Sequence, residues 1–195
     1  MSGLKSYRLT PKDVNSIVLI HLNWDHCLNT DIFENSEILV GGKEYEIGTL
    51  SGIRDSLSSK FRELLGSLQV KLVNEWYKPS PNSLILDTPC HISLVVNDGS
   101  ETIVIAGDAV PNLCAYDRGV PDLIFYDLDL AMKSIERIKS LNADVIYPGH
   151  DPPFSAKGYL ENDTMNIILR NRDESNVIVD IFKKIAEKPV VIRNA

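Results

Sequence analysis

Ser16-Ile17-Val18-Leu19-Ile20-His21-Leu22-Asn23-Trp24-Asp25-His26 is the stretch on which the fold turns. Its first five residues form an unbroken β-branched and aliphatic run, the pattern of a strand buried on both faces, and residues capable of chemistry follow without a spacer. Three similar runs lie downstream: Ser83-Leu84-Ile85-Leu86, Thr102-Ile103-Val104-Ile105-Ala106 and Asp144-Val145-Ile146-Tyr147. Between the last two, Leu128, Met132, Ile135 and Ile138 recur at helical spacing and predict an amphipathic helix over 127–141. Further helices are expected around Ile178, Ile181, Phe182 and Ile185, and over 51–68 around Phe61, Leu64 and Leu65. Thr10-Pro11-Lys12-Asp13 combines a capping hydroxyl, a proline suited to the first helical position and an acid for the positive end of the dipole, so a short helical turn begins there. Strands alternating with helices make an α/β chain. No repeat or linker divides the 195 residues, and one domain over 1–195 is expected.

Composition narrows the partners. Lys plus Arg at 20 against Asp plus Glu at 27 gives a net charge of -7, so the overall basic footprint of a nucleic-acid binder is missing, although a local patch stays open. The apolar runs fall far short of the roughly 18 residues of a membrane span. The first residues carry Lys5, Arg8 and Lys12 without the apolar segment of a secretory signal. Cys27, Cys90 and Cys114 form no CxxC pair and suit free thiols in a reducing compartment. These features predict a soluble cytoplasmic protein.

All four histidines, His21, His26, His91 and His150, are expected just after buried strands, and Asp108 follows Ala106-Gly107 in the same way. Ligands of α/β folds gather at the carboxyl ends of strands, where side chains leave the sheet. One histidine in such a place is more often structural than functional; several with acids on one edge point to a metal site. Imidazole and carboxylate are the usual nitrogen and oxygen ligands of zinc, and they also suit manganese and iron.

Four motifs in order carry a family resemblance: His21-x-Asn23-x-Asp25-His26, Thr88-Pro89-Cys90-His91, Ala106-Gly107-Asp108 and Tyr147-Pro148-Gly149-His150. With them the chain resembles the metallo-β-lactamase fold superfamily over about residues 10–190, whose first signature is HxHxDH after a buried strand. The resemblance implies an αββα sandwich. It implies one metal site from His21, position 23 and His91, another from Asp25, His26 and His150, and Asp108 bridging them. It further implies one or two zinc ions per chain, with a metal-bound hydroxide attacking an ester, lactone, thioester or phosphodiester, and Asp25 orienting that nucleophile as well as binding metal.

The sequence departs from the family pattern at three places. Asn23 stands where the second histidine belongs, and an amide oxygen is a weaker zinc ligand than imidazole, so the second site is expected to bind more tightly. Cys90 replaces the usual glycine before His91 and is read first as a small buried residue. Only 20 residues precede His21, which leaves part of the first sheet missing and its apolar surface to be covered, for example in a homo-oligomer. Two other functions compete with a hydrolase of small molecules: an impaired or vestigial member serving as a metal-binding or interaction module, and an RNA-cleaving metallohydrolase. Trp24, Tyr116 and Tyr126 read as packing or rim residues before substrate contacts, and Gly41-Gly42-Lys43 lacks the spacing of a phosphate-binding loop.

Overall fold

The computed structural model of the chain describes residues 4, 7–27, 29–49, 67–89, 91–97, 99–122, 124 and 127–159. The helices expected around Phe61 and around Ile181 lie outside them, as do Cys90, Tyr126 and the side chain of Trp24. The chain divides into two compact units, one up to Val95 and one from Val96.

Unit 1 is built on a parallel sheet of β1 (Ser16–Leu19), β2 (Glu37–Gly41) and β3 (Gln69–Val73), in that order. Ser16 pairs with Glu37 and Glu37 with Gln69, so the three strands run in step. A helical turn, α1 (Trp24–Cys27), follows β1, and a helix, α2 (Gly42–Thr49), follows β2. The neighbouring strands β4 (Ser83–Thr88) and β5 (His91–Asn97) complete the unit, with β5 crossing its boundary at Val95. Alternate side chains of the parallel sheet serve two cores. Leu19, Ile38 and Val40 pack with Leu22 and Cys27, while Leu39 and Val73 pack with Ile85 and Ile92. Burial on both faces is why the middle strand reads as Ile38-Leu39-Val40 without alternation, all three fully buried. β1 behaves differently from the expectation. Ser16 is exposed and Ile17 and Val18 are half-buried, because β1 is an edge of the described sheet and the central position belongs to β2.

Unit 2 carries β6 (Thr102–Gly107), α3 (Leu113–Arg118), α4 (Leu128–Ser140), β7 (Val145–Pro148) and a short hairpin of β8 (Phe154–Ser155) and β9 (Gly158–Tyr159). β6 and β7 are parallel neighbours, and β8 and β9 extend the sheet antiparallel. The expected helix over 127–141 is present: Asp127 caps it by accepting the Leu130 N–H, and Ile135 and Ile138 are fully buried. The other end of the periodic stripe faces water, since Leu128 and Met132 are exposed. Tyr116 is a buried residue of this unit, its ring 5.2 Å from that of Phe154 and beneath the Lys139 ammonium. The turn expected at Thr10 is a 3-10 turn over Pro11–Asp13, with the Asp13 carboxylate accepting from both the backbone and the hydroxyl of Thr10. Among the described residues, no helix is long and apolar enough to cross a membrane.

Candidate metal centre

His21 leaves β1 two residues after its end and is 1% exposed. The segment around it is held at three points. The Leu22 N–H donates to Glu44 Oε1 (2.8 Å), the Cys27 thiol donates to the Leu22 carbonyl (3.4 Å), and the Leu22 side chain is itself core. Asn23 then turns the chain, its carbonyl accepting the His26 and Cys27 N–H groups at 3.0 and 3.2 Å, and this winds α1 and carries His26 back toward His21. The two rings lie 4.1 Å apart between centroids. Asp25 Oδ2 is 3.3 Å from His26 Nε2.

His91 follows the end of β4 by three residues, as expected, and is at the same time the first residue of β5. Pro89 has no N–H for a ladder, so β4 stops at Thr88, whose hydroxyl meets that of Ser93 at 3.1 Å across the turn. The Ile92 N–H then donates to the Ile20 carbonyl (3.0 Å), which seats the start of β5 beside the end of β1. The His91 ring stands edge-on to His21 at 5.0 Å. Unit 1 thus brings three imidazoles together around one buried ring.

The Asn23 N–H donates to His21 Nδ1 (3.2 Å). Behind the ring, Glu44 is 8% exposed, and burial holds its carboxyl above the usual range against the Leu22 bond and the His21 ring, which draw it down. Sequence reading passed over Glu44. Its position two residues after Gly42 in a short helix of weak amphipathic pattern offers no periodic signal, and only the fold reveals its partner 22 residues upstream. Glu44 and His91 also line a cleft of about 150 Å³, with Lys43 and Asp87 paired at 3.3 Å among its walls. Gly41 borders it for a steric reason: a Cβ there would fall 2.6 Å from Ile92 Cγ2.

Unit 2 brings Asp108 and His150 together by strand register. Between the pairs Ile105↔Tyr147 and Gly107↔Pro148, β6 advances two residues while β7 advances one, a bulge that re-aims the chain. Gly107 takes a positive φ of 53° there, and Asp108 follows it. After β7, the Gly149 and His150 N–H groups donate to the Val110 and Pro111 carbonyls (3.2 and 3.0 Å), locking the two loops side by side. His150 Nε2 lies 3.2 Å from Asp108 Oδ1. Gly149 is the condition for that approach, since a Cβ on it would stand 2.0 Å from the same carboxylate oxygen. Asp151 anchors the loop from below, accepting the Leu113 N–H (3.1 Å) and the Tyr159 hydroxyl (2.7 Å), and burial raises its carboxyl above the usual range.

The donors fit a divalent metal. Unit 1 offers three clustered imidazoles and the Asp25 carboxylate, unit 2 a carboxylate and an imidazole beside a glycine, and these are the hard-to-borderline ligands that zinc takes.

Comparisons with known proteins agree with this chemistry. A protein of Methanocaldococcus jannaschii described as a probable metallo-hydrolase is 27% identical over 155 residues, which cover 77% of this chain and 64% of that one. The N-acyl homoserine lactonase of Bacillus cereus is 26% identical over 162 residues, covering 76% and 60%. A solved N-acyl homoserine lactone hydrolase, with the product N-hexanoyl-L-homoserine bound at its catalytic metal center, superposes with a TM-score of 0.65 at 28% identity over 76% of this chain and 60% of that one. The chain therefore spans about six-tenths of the length of these relatives, and its α/β fold is theirs. With the profile of the Metallo-beta-lactamase superfamily matching residues 3–150, the chain belongs to that superfamily.

Proposed function

We propose that this chain is a metal-dependent hydrolase of small carboxylic esters, with lactones as the substrate class, working as a single metallo-β-lactamase-like domain over 1–195 in the cytoplasm. The observation that carries the reading is the packing of the His26 and His91 rings against the buried His21. Imidazoles gathered in this way offer the nitrogen donors that a divalent metal takes. In this reading His21, Asn23 and His91 would hold one ion, Asp25, His26 and His150 would hold the other, and Asp108 would serve both, as the resemblance to the superfamily implies. Zinc is the first choice, at one or two per chain, and manganese or iron suits the same donors.

A bound divalent ion supplies an activated water at neutral pH and polarises the substrate carbonyl. The chain's own residues do the rest. Asp25, about one-third exposed beside His26, accepts a hydrogen bond from the attacking water and orients it. The Asp108 carboxylate, 3.2 Å from Nε2 of the half-exposed His150, orients that ring. The lactone assignment comes from the relatives named as lactonases, and their coverage makes it a proposal for this chain.

The test is hydrolysis of N-hexanoyl homoserine lactone, beside a thioester and a phosphodiester, by protein supplied with Zn²⁺, Mn²⁺ or Fe²⁺, together with metal content by elemental analysis. Lactone turnover that is lost in His150→Ala, with one to two metals per parent chain, is the expected result. No turnover of any class, or turnover that survives His150→Ala, overturns the reading; absence of metal as well turns the search toward a binding module.

A further inference from the structure

We infer that Glu44 is a positioning residue for the His21 imidazole cluster, holding the backbone between His21 and Asn23 so that the ligand set is formed before an ion arrives. The inference rests on the metal-binding reading above. Glu44 sits in the first turn of α2, and its Oε1 reaches the Leu22 N–H at 2.8 Å from a side chain that is 8% exposed. The bond fixes Leu22 from one side while the Cys27 thiol holds its carbonyl from the other. With that peptide immobile, the next amide, Asn23 N–H, points at the His21 ring, and the Asn23 carbonyl starts the turn that returns His26. One acceptor on α2 therefore sets the path of the loop that supplies two of the three rings.

A buried acceptor for a backbone amide need not be charged; a glutamine would satisfy the same N–H. That separates positioning from charge. Co²⁺ is titrated into the metal-free chain of 195 residues, with binding read from visible absorption and chelator competition, and thermal unfolding of the metal-free protein is followed in parallel. Glu44→Ala is expected to weaken Co²⁺ binding about 10–100-fold, the usual effect of losing a group that orients a ligand, and to change the absorption band. Glu44→Gln, which keeps the acceptor oxygen, is expected to restore both. Parent-like binding by Glu44→Ala, or a Glu44→Gln as weak as Glu44→Ala, overturns the inference. Should Glu44→Ala fail to fold, Glu44→Asp, one methylene too short for the Leu22 amide, takes its place with the same two readings. A parent chain that takes up no Co²⁺ breaks the metal reading itself, whereas a binding parent matched by the alanine variant breaks only the role of Glu44.

Discussion

In unit 1 the imidazoles come from one loop and the first residue of β5, and their common neighbour His21 is 1% exposed; in unit 2 Asp108 and His150 leave the ends of two adjacent parallel strands, and His150 is 54% exposed. The difference lies in what fixes each set. A loop has no ladder to place its side chains, so unit 1 holds the single residue Leu22 by a carboxylate, a thiol and the burial of its own side chain. Strands inherit their relative position from register, so in unit 2 a bulge aims Asp108, a glycine lets the carboxylate come close, and backbone bonds with the Asp151 carboxylate brace the loop. One set is tethered by side chains, and the other is delivered by backbone and braced by a single carboxylate, Asp151.

Gly149 is where that contrast breaks most easily. Gly149→Ala places a Cβ 2.0 Å from Asp108 Oδ1 and 3.0 Å from the Gly107 carbonyl carbon, and backbone on one side leaves little room to give. Overpacking of this kind costs about 1–3 kcal/mol, and each kcal/mol lowers the melting temperature by about 2–4 °C in a chain of this size. The expected outcome is that loss in thermal unfolding together with the loss of about one metal equivalent, since the Asp108–His150 pair must separate. Unchanged metal content and stability would show that the loops rearrange freely and that register does not hold the pair.

The same contrast explains what could be read from sequence. Ile17 to Ile20, Ile103 to Ala106 and Val145 to Tyr147 announced strands as continuous apolar runs, although Ile17 and Val18 are only half-buried and Tyr147 is exposed, and the residues that follow them announced ligands. Ile38-Leu39-Val40, the most buried strand of unit 1, is only three apolar residues between Glu37 and Gly41, too short to stand out. The placement of His91 depends on Pro89 stopping β4 and on the Ile92 N–H finding the Ile20 carbonyl, a contact between residues 72 apart that no local pattern encodes. Glu44 and Asp151 were invisible for the same reason: each is a buried carboxylate defined by a distant backbone N–H.

Asn23 sharpens the comparison from the side of unit 1. The sequence has three imidazoles in that unit and an amide where the family has a fourth. Asn23→His adds a nitrogen donor to the loop already tethered at Leu22, and metal content is expected to rise toward two per chain if it lies below that in the parent. Elemental analysis of both proteins decides it. An unchanged stoichiometry in a parent holding one metal would remove position 23 from the proposed ligand set.

The smallest effect is expected at Asp122, in unit 2. Its carboxylate accepts from Asn112 Nδ2 (2.6 Å) and pairs with Arg118, and those two contacts, the Asn112 bond first, hold it below the usual carboxylate range. Asn112 caps α3, whose Leu113 N–H is bonded to Asp151 beside His150, so α3 is the alternative to strand register as the support of that loop. A lowered carboxyl stabilises the fold above its unfolded value, near 3.8, and the contribution disappears as pH falls through the folded value. Because the pair is about half exposed, Asp122→Ala is expected to cost at most about 1 kcal/mol at pH 7, with the difference from the parent vanishing in urea unfolding at low pH. Metal content should not change. A larger loss, or a variant that no longer holds metal through His150, would mean that the helix and not the β6–β7 ladder carries the loop, and the two units would then be built on the same principle of side-chain tethers.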